Sequence, residues 1–224
     1  MYGKFLVEGD KAVRELLHSS FRIDAIYALS DWISAQPSSR DIMTPVSAQE
    51  LQQLSTHDHP DQAIAIAFIP DQDNNVTLAP GLYIACDHLN DPGNAGTIIR
   101  IADWFGAAGI IFSEGSVDVY NPKVVSAAKG SLFHIPVVHA DLKTLFNINA
   151  LPVLGAVMNG ESIYTTKLPA SGILLIGNEA NGISDDLYSH LTHHITIPSF
   201  GAAESLNAGV ATGIIMSEWR RRLL

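Results

Sequence analysis

Near the C-terminus, residues 197–222 read IPSFGAAESLNAGVATGIIMSEWRRR, and the order of residue types in this stretch constrains the chain more than any other. A strand end at Ile197-Pro198 runs into a small-residue turn from Ser199 to Ala203, and polar Glu204, Ser205 and Asn207 then stand where a helix opens. The first N–H groups of a helix have no partner within it, so such a turn gathers free donors and polar side chains at one spot. Two earlier segments have the same character: LNDPGNAGTIIRIADWFGAAGI at 89–110 and GILLIGNEANGIS at 172–184. Placed on parallel strands, the three turns share one edge of a sheet, where open α/β folds bind ligands.

The chain around these turns predicts such a sheet. From Gly81 onward apolar runs alternate with helical patterns, which is the mark of a mostly parallel sheet. Strands are predicted near 82–86, 109–112, 153–157, 173–176 and 195–197, and helices near 95–105, 122–129, 142–147, 184–189 and 206–223. Residues 1–70 read as a small α/β unit: a strand at 5–8, then a helix opened by Gly9-Asp10 with Val13, Leu16 and Leu17 on one face. A strand at 24–29 follows, then the capping box Ser47-Ala-Gln-Glu50 opening a helix through Leu54, and a β-rich run at 63–69. The polar stretch PDQDNNVTLAP at 70–80 reads as a linker or long hairpin. The expected organisation is therefore 1–70, a linker at 71–80, and 81–224.

With 47% hydrophobic and 16% charged residues in 224, the chain is expected to be globular. No apolar run approaches a membrane span, and the N-terminus shows no signal-peptide pattern. One cysteine, Cys86, permits no internal disulfide and predicts a cytoplasmic protein, and its place in the run Leu82 to Cys86 reads as a buried strand position. A net charge of −10 runs against the basic footprint of a protein that holds a phosphate backbone. Basic residues nonetheless cluster as Lys4, Lys11, Arg14 and Arg22, as Lys123 and Lys129, and as Arg220 to Arg222, either as nucleic-acid contacts or as solvated surface charge. His57 with His59 and His193 with His194 lie in polar loops without zinc-site spacing, so no metal is expected.

Asn94, Gly96 and Arg100 in the first segment, GNEANGIS in the second and IPSFGAAESLN in the third resemble the three motifs of the SpoU/TrmH-type RNA ribose methyltransferases of the SPOUT superfamily. They stand in family order over roughly 81–223. The resemblance implies a trefoil-knotted α/β domain that binds S-adenosylmethionine in its C-terminal knot and works as a homodimer. Connection rules alone argue against a knot. It also implies a preceding domain similar to small RNA-binding ribosomal proteins, whose start FLVEGDKAVRELL resembles. Relatives usually carry further, often basic residues ahead of that point, so a trimmed or short N-terminus is expected.

The implied reaction moves a methyl group to a ribose 2′-hydroxyl of rRNA or tRNA. The sulfonium activates the carbon, which leaves orientation to the protein. Gly177, Ile197 and Leu206 fall on the family's cofactor positions, with Met158 a further candidate; GNEANG lacks the spacing of a dinucleotide fingerprint. The family view casts Arg100 as the base, but a guanidinium stays protonated, which suits it better to stabilising a developing alkoxide or clamping a phosphate. Glu179 is expected to orient Arg100 or accept the proton, Asn94 to hold the turn, and Ser205 and Asn207 to bond the ribose or fix Arg100.

Within NPKVVSAAKGSLFHIP, residues 121–136, many relatives have Arg at the position of Ser126 and Ser at that of Ala128, which puts the target nucleotide in doubt. Lys129 is considered as a substitute for that charge and given little weight. In the last helix Gly209 and Gly213, with Val210, Ile214 and Trp219, make a small-residue face for close helix contact, between subunits or within one chain. The competing functional reading is a non-catalytic RNA-binding module on the same scaffold. A base methyltransferase is disfavoured because SPOUT relatives of that kind carry other motifs.

Overall fold

The apolar runs Leu82–Cys86, Gly109–Ser113 and Gly172–Ile176 are buried at every position, as strands covered on both faces must be. The computed structural model describes residues 3–36, 40–71 and 76–224. These runs are β5, β6 and β9 of a six-stranded sheet completed by β7 (Val137–Ala140), β8 (Val153–Ser162) and β10 (His193–Thr196). The order is β10-β8-β9-β5-β6-β7 and every recorded pairing is parallel, so all strands end at the same edge.

Side chains alternate across this sheet and feed two cores. Ile84, Cys86, Ile110, Phe112, Leu174 and Ile176 face one, where α4 (Pro92–Trp104), α5 (Pro122–Ala128) and α8 (Ala208–Arg221) contribute Ile98, Val124 and Ile215. Tyr83, Ala85, Ile111, Ile173 and Leu175 face the other, covered by α6 (Leu142–Ile148) and α7 (Asp185–Tyr188). Burial leaves the Cys86 thiol well above its ordinary pKa, so it is inert packing.

The N-terminal residues form a second sheet of β1 (Lys4–Glu8), β2 (Ile23–Ala28), β3 (Met43–Pro45) and β4 (Ala63–Phe68), ordered β1-β4-β2-β3. Packed with it are α1 (Asp10–Leu17), α2 (Ser30–Ser34) and α3 (Ala48–Leu54). The capping box on α3 is formed as read: Ser47 accepts from the Glu50 N–H and Glu50 reaches back to the Ser47 N–H.

The two sheets do not keep separate cores. Phe5 of β1 lies 4.8 Å from Tyr120 and Phe21 lies 5.4 Å, edge to face, from Phe133, so aromatic rings from both halves interleave. Above them His134 bridges Glu15 of α1 and Asp103 of α4 at 3.1 and 3.0 Å. Of the expected linker, Gln72 to Asn75 fall outside the described residues, while Val76 and Leu78 pack into the second core, so the part described is a fastened strap.

Three short elements escape the sequence pattern: α2, β3 and β7. Each spans five residues or fewer, too short for periodicity to register. α4 starts at Pro92, ahead of the predicted residue 95, because Asp91 caps it and Pro92 suits the first helical position. Among the described residues no helix is long and apolar enough to cross a membrane.

Candidate functional site

The three turns converge. Asp91 accepts the Asn94 N–H at 2.7 Å and starts α4, which points the Asn94 side chain inward at 8% exposure. Asn94 Nδ2 donates to Glu179 Oε1 at 3.0 Å, and Asn94 Oδ1 accepts from Asn207 Nδ2 at 2.7 Å. Asn207 in turn caps α8, accepting from the N–H groups of Gly209 and Val210. One buried amide therefore joins a residue 85 positions away to another 113 positions away. Such a connected polar chain fixes geometry tightly because any broken link strands a desolvated group.

The second turn has its own fastenings. Asn178 donates to the His88 carbonyl at 2.7 Å and accepts from the Ala180 and Asn181 N–H groups. Asp87, 1% exposed at the end of β5, accepts from the Ser184 N–H and hydroxyl and pairs with His88 Nδ1. Neither Asp87 nor Asn178 was singled out from the sequence. The signal for Asp87 was available, since a carboxylate directly after the buried run LYIAC requires dedicated donors. Gly177 is demanded by this turn itself: a Cβ there would stand 2.2 Å from the Gly182 carbonyl carbon and 2.4 Å from the Ile183 nitrogen. The same close approach leaves the chain without a side chain at the end of β9.

Arg100 lies six residues beyond Asn94 on α4, about 9 Å along the axis. It is exposed and, among the described residues, makes no hydrogen bond or ion pair. The expected pairing with Glu179 is not formed; Glu179 Oε1 accepts instead from Asn94 and from the Asp91 N–H. Ser205 is likewise exposed, and Asn207, the better-placed oxygen, is the cap. The site thus joins Asn94, Glu179 and Asn207 and leaves Arg100 and Ser205 outside the hydrogen-bonded group.

Of the other four residues, one stands within β8, two follow β9 and β10, and Leu206 lies just ahead of α8. Met158 is 65% exposed and its carbonyl accepts from the Thr196 hydroxyl, at the point where the β8–β10 register shifts. Ile197 follows β10 and is half-buried, Leu206 is 49% exposed, and Gly177 follows β9. Exposed large apolar side chains beside main-chain groups at a parallel sheet edge fit a ligand with a flat apolar base and a polar tail.

At two further places the sequence leaves alternatives that the contacts narrow. Gly209 and Gly213 face α4 of the same chain: a Cβ at Gly209 would meet Thr97 at 2.8 Å, and one at Gly213 would touch Ile101 at 3.5 Å. Arg220 and Arg222 are not free charge. Arg220 donates to the carbonyls of Phe105 and Gly106, and Arg222 to those of Ile163, Tyr164 and Thr166, with Glu218 pairing both Arg221 and Arg222. Among the described residues no three His, Cys, Asp or Glu side chains are grouped to hold a metal ion.

Residues 81–217 match the model of the SpoU rRNA Methylase family, and residues 1–65 match that of the MRM3-like substrate binding domain. Over 96% of its length the chain is 31% identical to the 23S rRNA (guanosine(2553)-2′-O)-methyltransferase RlmP of Bacillus subtilis, covering 88% of that protein. Among solved structures it is similar to the SpoU methyltransferase AviRb from Streptomyces viridochromogenes in complex with AdoMet (TM-score 0.85, 26% identity, 99% of this chain and 91% of that one). An AdoMet-bound rRNA methyltransferase from Sinorhizobium meliloti superposes with a TM-score of 0.86 at 29% identity, over 99% of this chain and 88% of that one.

Proposed function

The chain belongs to the SpoU rRNA Methylase family, and from that premise we propose the assignment of roles at its site. The protein is an S-adenosylmethionine-dependent RNA methyltransferase acting on a ribose 2′-hydroxyl. The observation that carries this reading is the hydrogen-bonded chain Glu179–Asn94–Asn207, which ties the three turns together. We divide the chain into a substrate-binding domain at 1–70 and a methyltransferase domain at 81–224. RNA is the macromolecular substrate, in the cytoplasm.

Gly177, Ile197, Leu206 and Met158 hold the donor, apolar surface under its base and main-chain groups around its edges. When bound, the donor would supply a methyl carbon already activated by its sulfonium. The remaining work falls to side chains. Arg100 holds the phosphate next to the target ribose and stabilises negative charge growing on the 2′-oxygen. Glu179 keeps Oε1 on Asn94 and takes the hydroxyl proton on Oε2, which has no partner among the described residues. Ser205 bonds the ribose from the exposed loop 199–207.

The same reading makes the enzyme a homodimer and its C-terminus a trefoil knot. Trp104 at 84% exposure and Val210 at 51%, on the adjoining helices α4 and α8, support a second copy covering this surface. Supporting the knot is the return of the chain from edge strand β10, past the ends of β8 and β9, to α8 beside α4.

Mapping ribose methylation across total RNA from cells with and without the gene tests the activity. Loss of one 2′-O-methyl group is the expected result and names the substrate; an unchanged map together with no calorimetric uptake of S-adenosylmethionine overturns the reading. Sedimentation of the purified protein tests the dimer, and a clean monomer at micromolar concentration refutes it.

A further inference from the structure

Of the basic residues that cluster in the sequence, most are engaged: Lys4 pairs with Asp24, Arg14 with Asp10, Arg22 lies 3.5 Å over the Phe68 ring, and Arg220 to Arg222 are tied as described. Lys11, Lys123 and Lys129 are exposed and form no ion pair among the described residues. They come from α1, the start of α5 and its end, and they line one cleft between the two halves of the molecule, two adjoining hollows of about 180 and 510 Å³. His57 and His59 line it from the N-terminal side, and Ser126 from the other. Glu8 and Asp61 also face it, but Glu8 accepts from Ser55 and Thr56, and Asp61 from the N–H groups of Asp10 and Gln62.

Lys129 has a second peculiarity. It is one of two non-glycine residues among those described with positive φ, at 52°, and it ends α5 in the left-handed conformation that glycine adopts with less strain. A long cation is therefore held at a backbone position that disfavours it, which marks a side chain with a task. The wall behind it is thin. Ala127 lines the cleft, and on its other side a Cβ at Gly96 of α4 would stand 2.4 Å from the Ala127 Cβ. One helix thickness, about 10 Å, thus separates the cleft from the helix that carries Asn94 and Arg100.

We infer that this cleft is an RNA-backbone site, in which Lys11, Lys123 and Lys129 bind phosphates of the strand flanking the target nucleotide. This rests on the RNA methyltransferase reading above. A chain of net charge −10 that handles RNA requires such a local reserve of unpaired cations.

The test measures binding of a fluorescein-labelled 20-nucleotide single-stranded RNA of mixed sequence by anisotropy over a range of salt concentrations. The triple variant Lys11→Ala, Lys123→Ala, Lys129→Gly is expected to bind roughly tenfold more weakly at moderate salt, and the slope of log K against log salt is expected to fall by about two to three. Melting temperature and S-adenosylmethionine uptake stay as in the wild type. The single change Lys129→Gly removes the charge while suiting the backbone, so it serves where the triple variant does not fold. Adding Ser126→Arg to it, one turn earlier on the same wall, restores affinity. Unchanged affinity and slope in the folded variants overturn the cleft site and leave the methyltransferase reading standing. Failure of that reading is registered separately, as a wild type that neither takes up the donor nor methylates RNA.

Discussion

The two ends of α4 are built on opposite principles. At its N-terminal end Asp91, Asn94 and Gly96 are spent on structure: the cap, the bridge between Glu179 and Asn207, and the close seat on Ala127. Further along, Arg100 and Trp104 stand out from the molecule, exposed and without a hydrogen bond or ion pair among the described residues. One end fixes the frame; the other is left open for what the frame receives. A residue's appearance in a family motif does not say which of these tasks it performs.

Substitutions along the helix separate the tasks. Arg100→Ala is expected to lower the methylation rate by about 10²–10³-fold while shifting stability by less than about 0.5 kcal/mol, measured by methyl-transfer assay and denaturant unfolding. A parallel loss of stability would mean that Arg100 belongs to the frame. Gly96→Val reverses the pattern: with Ala127 backbone atoms 2.9 Å from the new Cβ, the α4–α5 contact must open, at a cost of about 3 kcal/mol, visible as a lower unfolding midpoint. Asn94→Ala falls between, losing about 1–2 kcal/mol for two part-buried hydrogen bonds and most activity as well. Full activity in that variant would detach the bridge from catalysis.

The smallest effect lies at the far end of α4, where Asp103 and then Glu15 hold the His134 pKa above the ordinary histidine value. The charged imidazolium is favoured in the folded state, so its stabilisation is complete below about pH 6.5 and fades as pH rises through the elevated folded value. The group is substantially exposed, so less than about 1 kcal/mol is at stake. Urea midpoints of the wild type should fall between pH 6 and pH 8.5, and His134→Gln should lose this part of the dependence.

Much of the fold could be read from local pattern. The buried runs of β5, β6 and β9 and the Ser47–Glu50 box are short-range signals, and they appear where read. The site was legible as three turns but not as a wiring scheme. Whether Glu179 meets Arg100 or Asn94 depends on helix phase across a gap of 85 residues, which no local pattern encodes. The glycines show the same limit: their need for a close neighbour is visible in sequence, but whether that neighbour is a ligand, another subunit or the same chain is not.

The interleaved rings of Phe5, Phe21, Tyr120 and Phe133 carry a last consequence. Two halves that share one hydrophobic interior cannot swing independently, so the reach from the N-terminal grip to the reactive centre is constant, like the gap of a caliper. An RNA is then admitted by whether its shape spans that gap, before any chemistry begins, and the protein is expected to melt in a single transition.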